Sequence, residues 1–339
     1  MMLSSKSEIT LLSLVILSTV TSLNSSLPAE PHNPNTDWFM KAGYGVFVHY
    51  LSDIQNNSQE LHSLGKETSW DECVQEFDAE KFADLMDQVG AGYVIFTMHQ
   101  RTRFLIAPNA TFDRLTGYKP GQACATRDLV EDLYVALHRK NIPLMLYWTG
   151  DGPRQDQQAA KALGYTEKVS TEYVQKWTSV VQEYSTRYGE KIVGWWVDGC
   201  YPWIGYDQDK LGLMAKALKA GNPRSIIALN VGVQEKVNAY TEHEDFTTGE
   251  QNQFSNIPEN RWINGEQWHI LSFLGSSFQG WGQPGSKYKK QQLIDYVHQV
   301  NSKGGVVSID VMLYRDGSLD RSQFEMLKTL RPGLDRKKQ

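Results

Sequence analysis

The feature that most constrains this chain is a rhythm: from residue 44 onward, short apolar runs alternate with longer stretches whose apolar residues recur at helical spacing. The short runs fall at residues 44–49, 93–98, 144–148, 192–197, 226–230, 245–247, 269–273 and 306–310, and helices are predicted at 79–89, 128–140, 171–188, 209–220, 289–302 and 321–330. In the first helix Phe82, Leu85, Met86 and Val89 repeat at i, i+3, i+4 and i+7, which lays one apolar stripe along one face. A helix between two strands returns the second strand parallel to the first, so the expected class is α/β. Eight runs point to a single (β/α)8 TIM barrel. An open doubly wound sheet would carry a glycine-rich phosphate turn after its first strand, and here Leu51, Ser52 and Asp53 follow instead.

No Gly-, Ser- or Pro-rich linker interrupts the body, so residues 27–335 read as one domain. Ahead of it, Lys6, the apolar stretch 11–20 and the small polar run 21–26 read as a signal peptide and leader over residues 1–26; residues 336–339 form a basic tail. The expected location is secreted or otherwise outside the cytosol. No later stretch is long and apolar enough for a membrane span. A formal net charge of -5 argues against nucleic acid as a partner. Asn24, Asn56 and Asn109 open glycosylation triplets. Cys73, Cys124 and Cys200 have no metal-type spacing and allow at most one bridge.

In parallel barrels the chemistry sits where strands end, so polar residues that close apolar runs come first. Asp198 closes the fourth run, after Trp195 and Trp196 and before Gly199. A carboxylate walled by indole rings there is placed to attack an anomeric carbon; the plain alternative is an Asx turn with Gly199 or a helix cap. His49 and His99 each end a run, where imidazoles would hydrogen-bond sugar hydroxyls, although a single His is more often buried against a backbone partner. Tyr147 and Trp148 end the third run. The two histidines lack zinc spacing and a companion carboxylate, so neither metal nor cofactor is expected.

The segment Trp196, Val197, Asp198, Gly199 resembles the Trp-x-Asp-Gly nucleophile motif of family 29 glycoside hydrolases, the retaining α-L-fucosidases. Other segments agree in order. Trp38 and Phe39, followed by residues 43–49, are similar to that family's opening strand, whose His contacts the sugar; residues 77–82 and 90–93 are similar to its next helix and strand. Arg127 and Asp128 match a helix start, and residues 304–309 with Asp316 and Gly317 the closing strand and loop, so the resemblance runs from about residue 38 to 331. Retaining hydrolysis needs a second, protonated carboxyl. The stretch from Asp245 to Glu250 resembles the family's Asp-aromatic-x-Thr-Pro-Glu segment, which implies Glu250 as the acid, with Glu242 and Glu244 as competitors.

The departures bear on substrate. Where the family shows His-His-Asp-Gly-Phe, this chain has His99, Gln100, Arg101, Thr102, Arg103 and Phe104; where it shows Asn-x-Arg, Asn230, Val231 and Gly232 stand. The family's Glu-Trp pair is reduced to Trp70 with Asp71. Arg101 and Arg103 suit a sulfate or carboxylate on the substrate, or are solvated or internally paired charges. The chain ends soon after the last helix, so no C-terminal β-sandwich is expected.

The resemblance implies a retaining exo-glycosidase for α-L-fucosides or a related sugar, with Asp198 as nucleophile and Glu250 as acid and then base. The sugar would be held by His49, Trp70, His99, Gln100, Tyr147, Trp196 and Trp268. The alternatives are a sugar-binding barrel without turnover and a lyase or transferase using the same carboxylates.

Overall fold

Seven of the eight predicted runs form strands: β1 (Tyr44–Val48), β2 (Val94–Thr97), β3 (Leu144–Thr149), β4 (Ile192–Asp198), β5 (Ile226–Leu229), β6 (His269–Phe273) and β7 (Val306–Val311). The computed structural model describes residues 32–331; the predicted signal peptide and basic tail lie outside the described residues. All seven strands are parallel and make one curled sheet in the order β5-β4-β3-β2-β1-β7-β6. The six predicted helices form at Ala79–Val89, Leu129–His138, Thr171–Tyr188, Gln208–Leu218, Lys290–Ser302 and Arg321–Lys328. Their starts are fixed by side chains that satisfy otherwise orphaned N–H groups: Asp78 accepts from Lys81, Asp128 from Glu131, Ser170 from Tyr173 and Asp207 from Lys210.

Successive side chains on a strand point to opposite faces, and here both faces are buried. Val46, Val48, Phe96, Leu146, Trp195, Val197, Leu229 and Ile309 pack in one large core with the helices. Phe47, Ile95, Met145, Tyr147, Trp196, Ala228 and Leu271 form a second core inside the curl. The parity of a residue on its strand therefore decides whether it meets helices or the interior.

The eighth run, residues 245–247, is not a strand. Asp245 N–H donates to the Ile227 carbonyl at 2.8 Å, and beyond it only isolated bridges join Phe246 to Gln267 and Glu250 to Leu271. Gly249 sets the irregularity: its φ is +57°, and a Cβ there would stand 2.0 Å from the His269 carbonyl oxygen. The segment thus lies hard against β6 in a geometry that a regular ladder does not allow.

Cys73, Cys124 and Cys200 are three separate buried thiols, so the bridge that the count permitted does not form. Asn109 is buried, donates to the Val180 carbonyl and caps the helix Ala110–Thr116, and Asn56 hydrogen-bonds Thr68 and Arg315. The Asn109 amide is thus committed inside the fold, whereas Asn56 is half-buried and its bonds to Thr68 lie at the surface.

Candidate active site

The C-terminal ends of the strands surround a cavity of about 280 Å³, whose walls include His49, Gln100, Tyr147, Trp196, Asp198 and Glu250. Strand parity puts Tyr147, Trp196 and Asp198 there. Tyr147 pairs in register with Trp196, and two positions further Thr149 pairs with Asp198, so the inward face of β3 and β4 carries an aromatic floor with the carboxylate above it. Tyr147 and Trp196 stack at 5.6 Å and 13°, and Trp196 Nε1–H donates to the Thr248 carbonyl.

Asp198 accepts three hydrogen bonds: from Tyr147 Oη at 2.9 Å, from Tyr201 Oη at 2.5 Å and from Asn230 Nδ2 at 3.0 Å. Gln100 donates to the Tyr147 hydroxyl at 2.7 Å and so supports the same carboxylate from behind. Asn230 Nδ2 also donates to Glu250 Oε2 at 2.7 Å. One amide nitrogen therefore touches both carboxyls, which bounds the separation of the two oxygens at about 6 Å and gives about 5 Å if each takes its own N–H. Burial, and then the charge of Asp198, push the Glu250 carboxyl up to about 7, against the opposing pull of Asn230 and His49. Behind the pocket, Asp151 is raised to about 6 by burial and by Asp198, although Arg154 pairs with it at 2.6 Å.

His49 is held from the far side. Its Nδ1 meets Asp310 Oδ1 at 2.8 Å, and Asp310 Oδ2 accepts from Gly282 N–H at 2.6 Å. A buried carboxylate thus fixes the ring and leaves Nε2 for the pocket.

Three predicted sugar contacts are not brought to the pocket. His99 is wedged between Trp148 at 4.6 Å and Trp177 at 5.1 Å on the helix side, where burial lowers its pKa to about 3. The chain leaves β2 at Thr97, so His99 turns outward and Gln100 takes the pocket position. Trp268, immediately before β6, has the outward parity and packs with the helices, and Trp70 opens a helix, Trp70–Gln75, from which it donates to the Leu105 carbonyl inside the core. Trp148 is likewise outward. Arg103 pairs with Asp156 at 2.9 Å over the Phe104 ring, the internal-charge alternative, whereas Arg101 lines the pocket. Of the competing acids, Glu242 is exposed, and Glu244 is buried against the backbone N–H groups of Leu229, Tyr240 and Thr241.

Sequence reasoning missed Tyr201, Asn230 and Asp310 as site residues. Asn230 and Asp310 were within reach of the strand-end rule, since each follows inward-facing residues at two-residue spacing: Ile226 and Ala228 for the first, Val306 and Ser308 for the second. Tyr201 lies in a loop, where no periodicity points to it.

A family model described as Alpha-L-fucosidase matches residues 18–332. The chain belongs to the alpha-L-fucosidase family. No curated protein matches it in sequence. Among solved structures, it is similar to an alpha-L-fucosidase from Bacteroides thetaiotaomicron, with 16% identity and a TM-score of 0.64 over 91% of this chain and 74% of that one. It is also similar to an alpha-L-fucosidase from Lactobacillus casei solved with its fucose product, with 17% identity and a TM-score of 0.61 over 90% and 99% of the two chains. An endo-fucoidan hydrolase of glycoside hydrolase family 107 shows 15% identity and a TM-score of 0.67 over 88% and 93%. At these identities the likeness is one of fold.

Proposed function

We propose that this member of the alpha-L-fucosidase family is a retaining glycoside hydrolase acting on α-L-fucosides or a closely related glycoside outside the cytosol. The observation that carries the proposal is the single amide of Asn230 spanning Asp198 and Glu250, which caps the separation of their oxygens at about 6 Å; that admits the spacing of about 5–5.5 Å a covalent glycosyl-enzyme uses and is short of the wider gap that would admit a water. The pair is also electrostatically divided. Glu250, raised to about 7, holds a proton to donate to the leaving oxygen, while Asp198 attacks the anomeric carbon. Glu250 then removes a proton from water, which cleaves the intermediate.

Residues 245–251, although irregular, fill in this reading the gap between β5 and β6, hydrogen-bonded to β5 on one side and β6 on the other, and they carry Glu250 into the pocket. His49 Nε2, Gln100 and the Trp196 face orient one sugar ring, to which the small cavity is matched. The leader-like residues 1–26 support the location. The test is release of 4-nitrophenol from a panel of aryl glycosides headed by the α-L-fucoside, with the anomer of the first-formed product read by NMR. Retention supports the mechanism, inversion overturns it, and no turnover of any glycoside overturns the hydrolase reading.

A further inference from the structure

Just past β4, a single 3₁₀ turn at Pro202–Ile204 holds up Trp203, the most exposed tryptophan among the described residues, with 61% of its surface open. The ring is not loose. It stacks on Tyr201 at 4.4 Å and 12°, and Tyr201 is the pocket residue whose hydroxyl binds Asp198. Against the rim of the same ring lies Gly232, where a Cβ would come within 2.9 Å of Trp203 Cη2 and 3.6 Å of Tyr201 Cε1, so the lack of a side chain at this position makes room for the indole. With one face on Tyr201, the face that solvent reaches is flat, apolar and held in place.

We propose that Trp203 is the floor of a second sugar subsite, which receives the leaving-group sugar of an oligosaccharide while the first ring sits over Trp196; this rests on the hydrolase reading above. An aromatic face covers the C–H side of a pyranose, and a ring already ordered by stacking loses little entropy on binding. Asp198, Tyr201 and Trp203 follow one another outward from the reacting centre, so the subsite adjoins the bond to be broken. The substrate class is therefore a glycoside whose aglycone is itself a sugar.

The test compares α-L-fucosyl fluoride, whose leaving group is too small to reach Trp203, with an α-L-fucosyl-galactose disaccharide. Trp203→Ala should lower kcat/KM for the disaccharide about tenfold, through KM, and leave the fluoride within about twofold; Trp203→Phe should restore most of the loss. An equal loss on both substrates, or no loss on the disaccharide, overturns the proposal while leaving hydrolysis intact. If the unaltered protein turns over neither substrate, the hydrolase reading has failed by itself, and calorimetry with the disaccharide decides the subsite. Binding weakened about tenfold by Trp203→Ala keeps it, and binding unchanged by the substitution, or absent from both proteins, removes it.

Discussion

His49 and His99 end neighbouring parallel strands, yet one faces the cavity and the other is sealed between two indoles. The difference lies in what each ring is given. His49 has a buried carboxylate at one nitrogen and open space at the other. His99 has Thr149 at one nitrogen and no partner for Nδ1, so its surroundings favour the neutral form and offer no route to a ligand. Two residues alike in sequence context thus belong to different layers: the inner layer lines the pocket, and the outer layer joins sheet to helices.

That division is sharpest at β4, where Trp195 and Val197 face the helices and Trp196 and Asp198 the pocket. Asp198→Ala should reduce kcat/KM for an aryl fucoside by about 10³-fold or more without a comparable change in Tm. A loss of only a few fold would break the comparison, because the inner layer would then have no nucleophile at this position.

Glu250 separates rate from stability. Its carboxyl is raised from 4.5 to about 7, so between those values the folded chain keeps a proton that the unfolded chain releases. The resulting penalty is absent below pH 4.5 and grows as pH rises through about 7, reaching about 3 kcal/mol on the alkaline side. Glu250→Gln should accordingly raise stability at pH 8, measured by urea denaturation, and change little at pH 4, while abolishing most turnover of substrates with poor leaving groups. In the unaltered enzyme the rate should fall as pH rises through about 7, where the acid loses its proton. A rate that is flat to pH 9 would place the acid elsewhere.

The histidine pair gives the direct contrast. His99→Ala leaves a void between Trp148 and Trp177 and should cost about 2–4 kcal/mol of stability, with kcat/KM within about twofold of the original. His49→Ala should do the reverse: a drop of about tenfold or more in kcat/KM, little change in Tm. Equal effects of the two substitutions on either readout would dissolve the distinction between layers.

Much of this was legible before any coordinates, because strand and helix periodicities survive in the sequence. The seven strands and six helices fall within a few residues of their predicted bounds, and the parity of Tyr147, Trp196 and Asp198 follows from the same alternation. Where the reading failed, the backbone departed from that period. His99 lies beyond the end of β2, where alternation no longer applies; Trp268, by contrast, obeys the alternation, which turns it to the helix side, opposite to His269. The run 245–247 does not become a regular strand because the backbone turns just beyond it at Gly249, whose positive φ no apolar periodicity encodes. Tyr201 depends on a loop folding back over β4, and nothing in its local sequence encodes the 2.5 Å contact with Asp198.

Tyr201 therefore supplies the finest test of how the inner layer works. Its hydroxyl is one of three donors to Asp198, alongside Tyr147 and Asn230, so Tyr201→Phe removes a single bond from a carboxylate that keeps two others. A hydrogen bond to a charged acceptor contributes a net of about 1.5–3 kcal/mol, but two other donors and water entering the vacated position compensate for much of it, which leaves about 1 kcal/mol or less. The expected loss in kcat is about fivefold or less, with KM for a disaccharide nearly unchanged, because the phenyl ring still carries Trp203. If KM rises as much as it does on Trp203→Ala, the hydroxyl's bond to Asp198 is what holds the aromatic ladder in place, and the two layers of recognition are one.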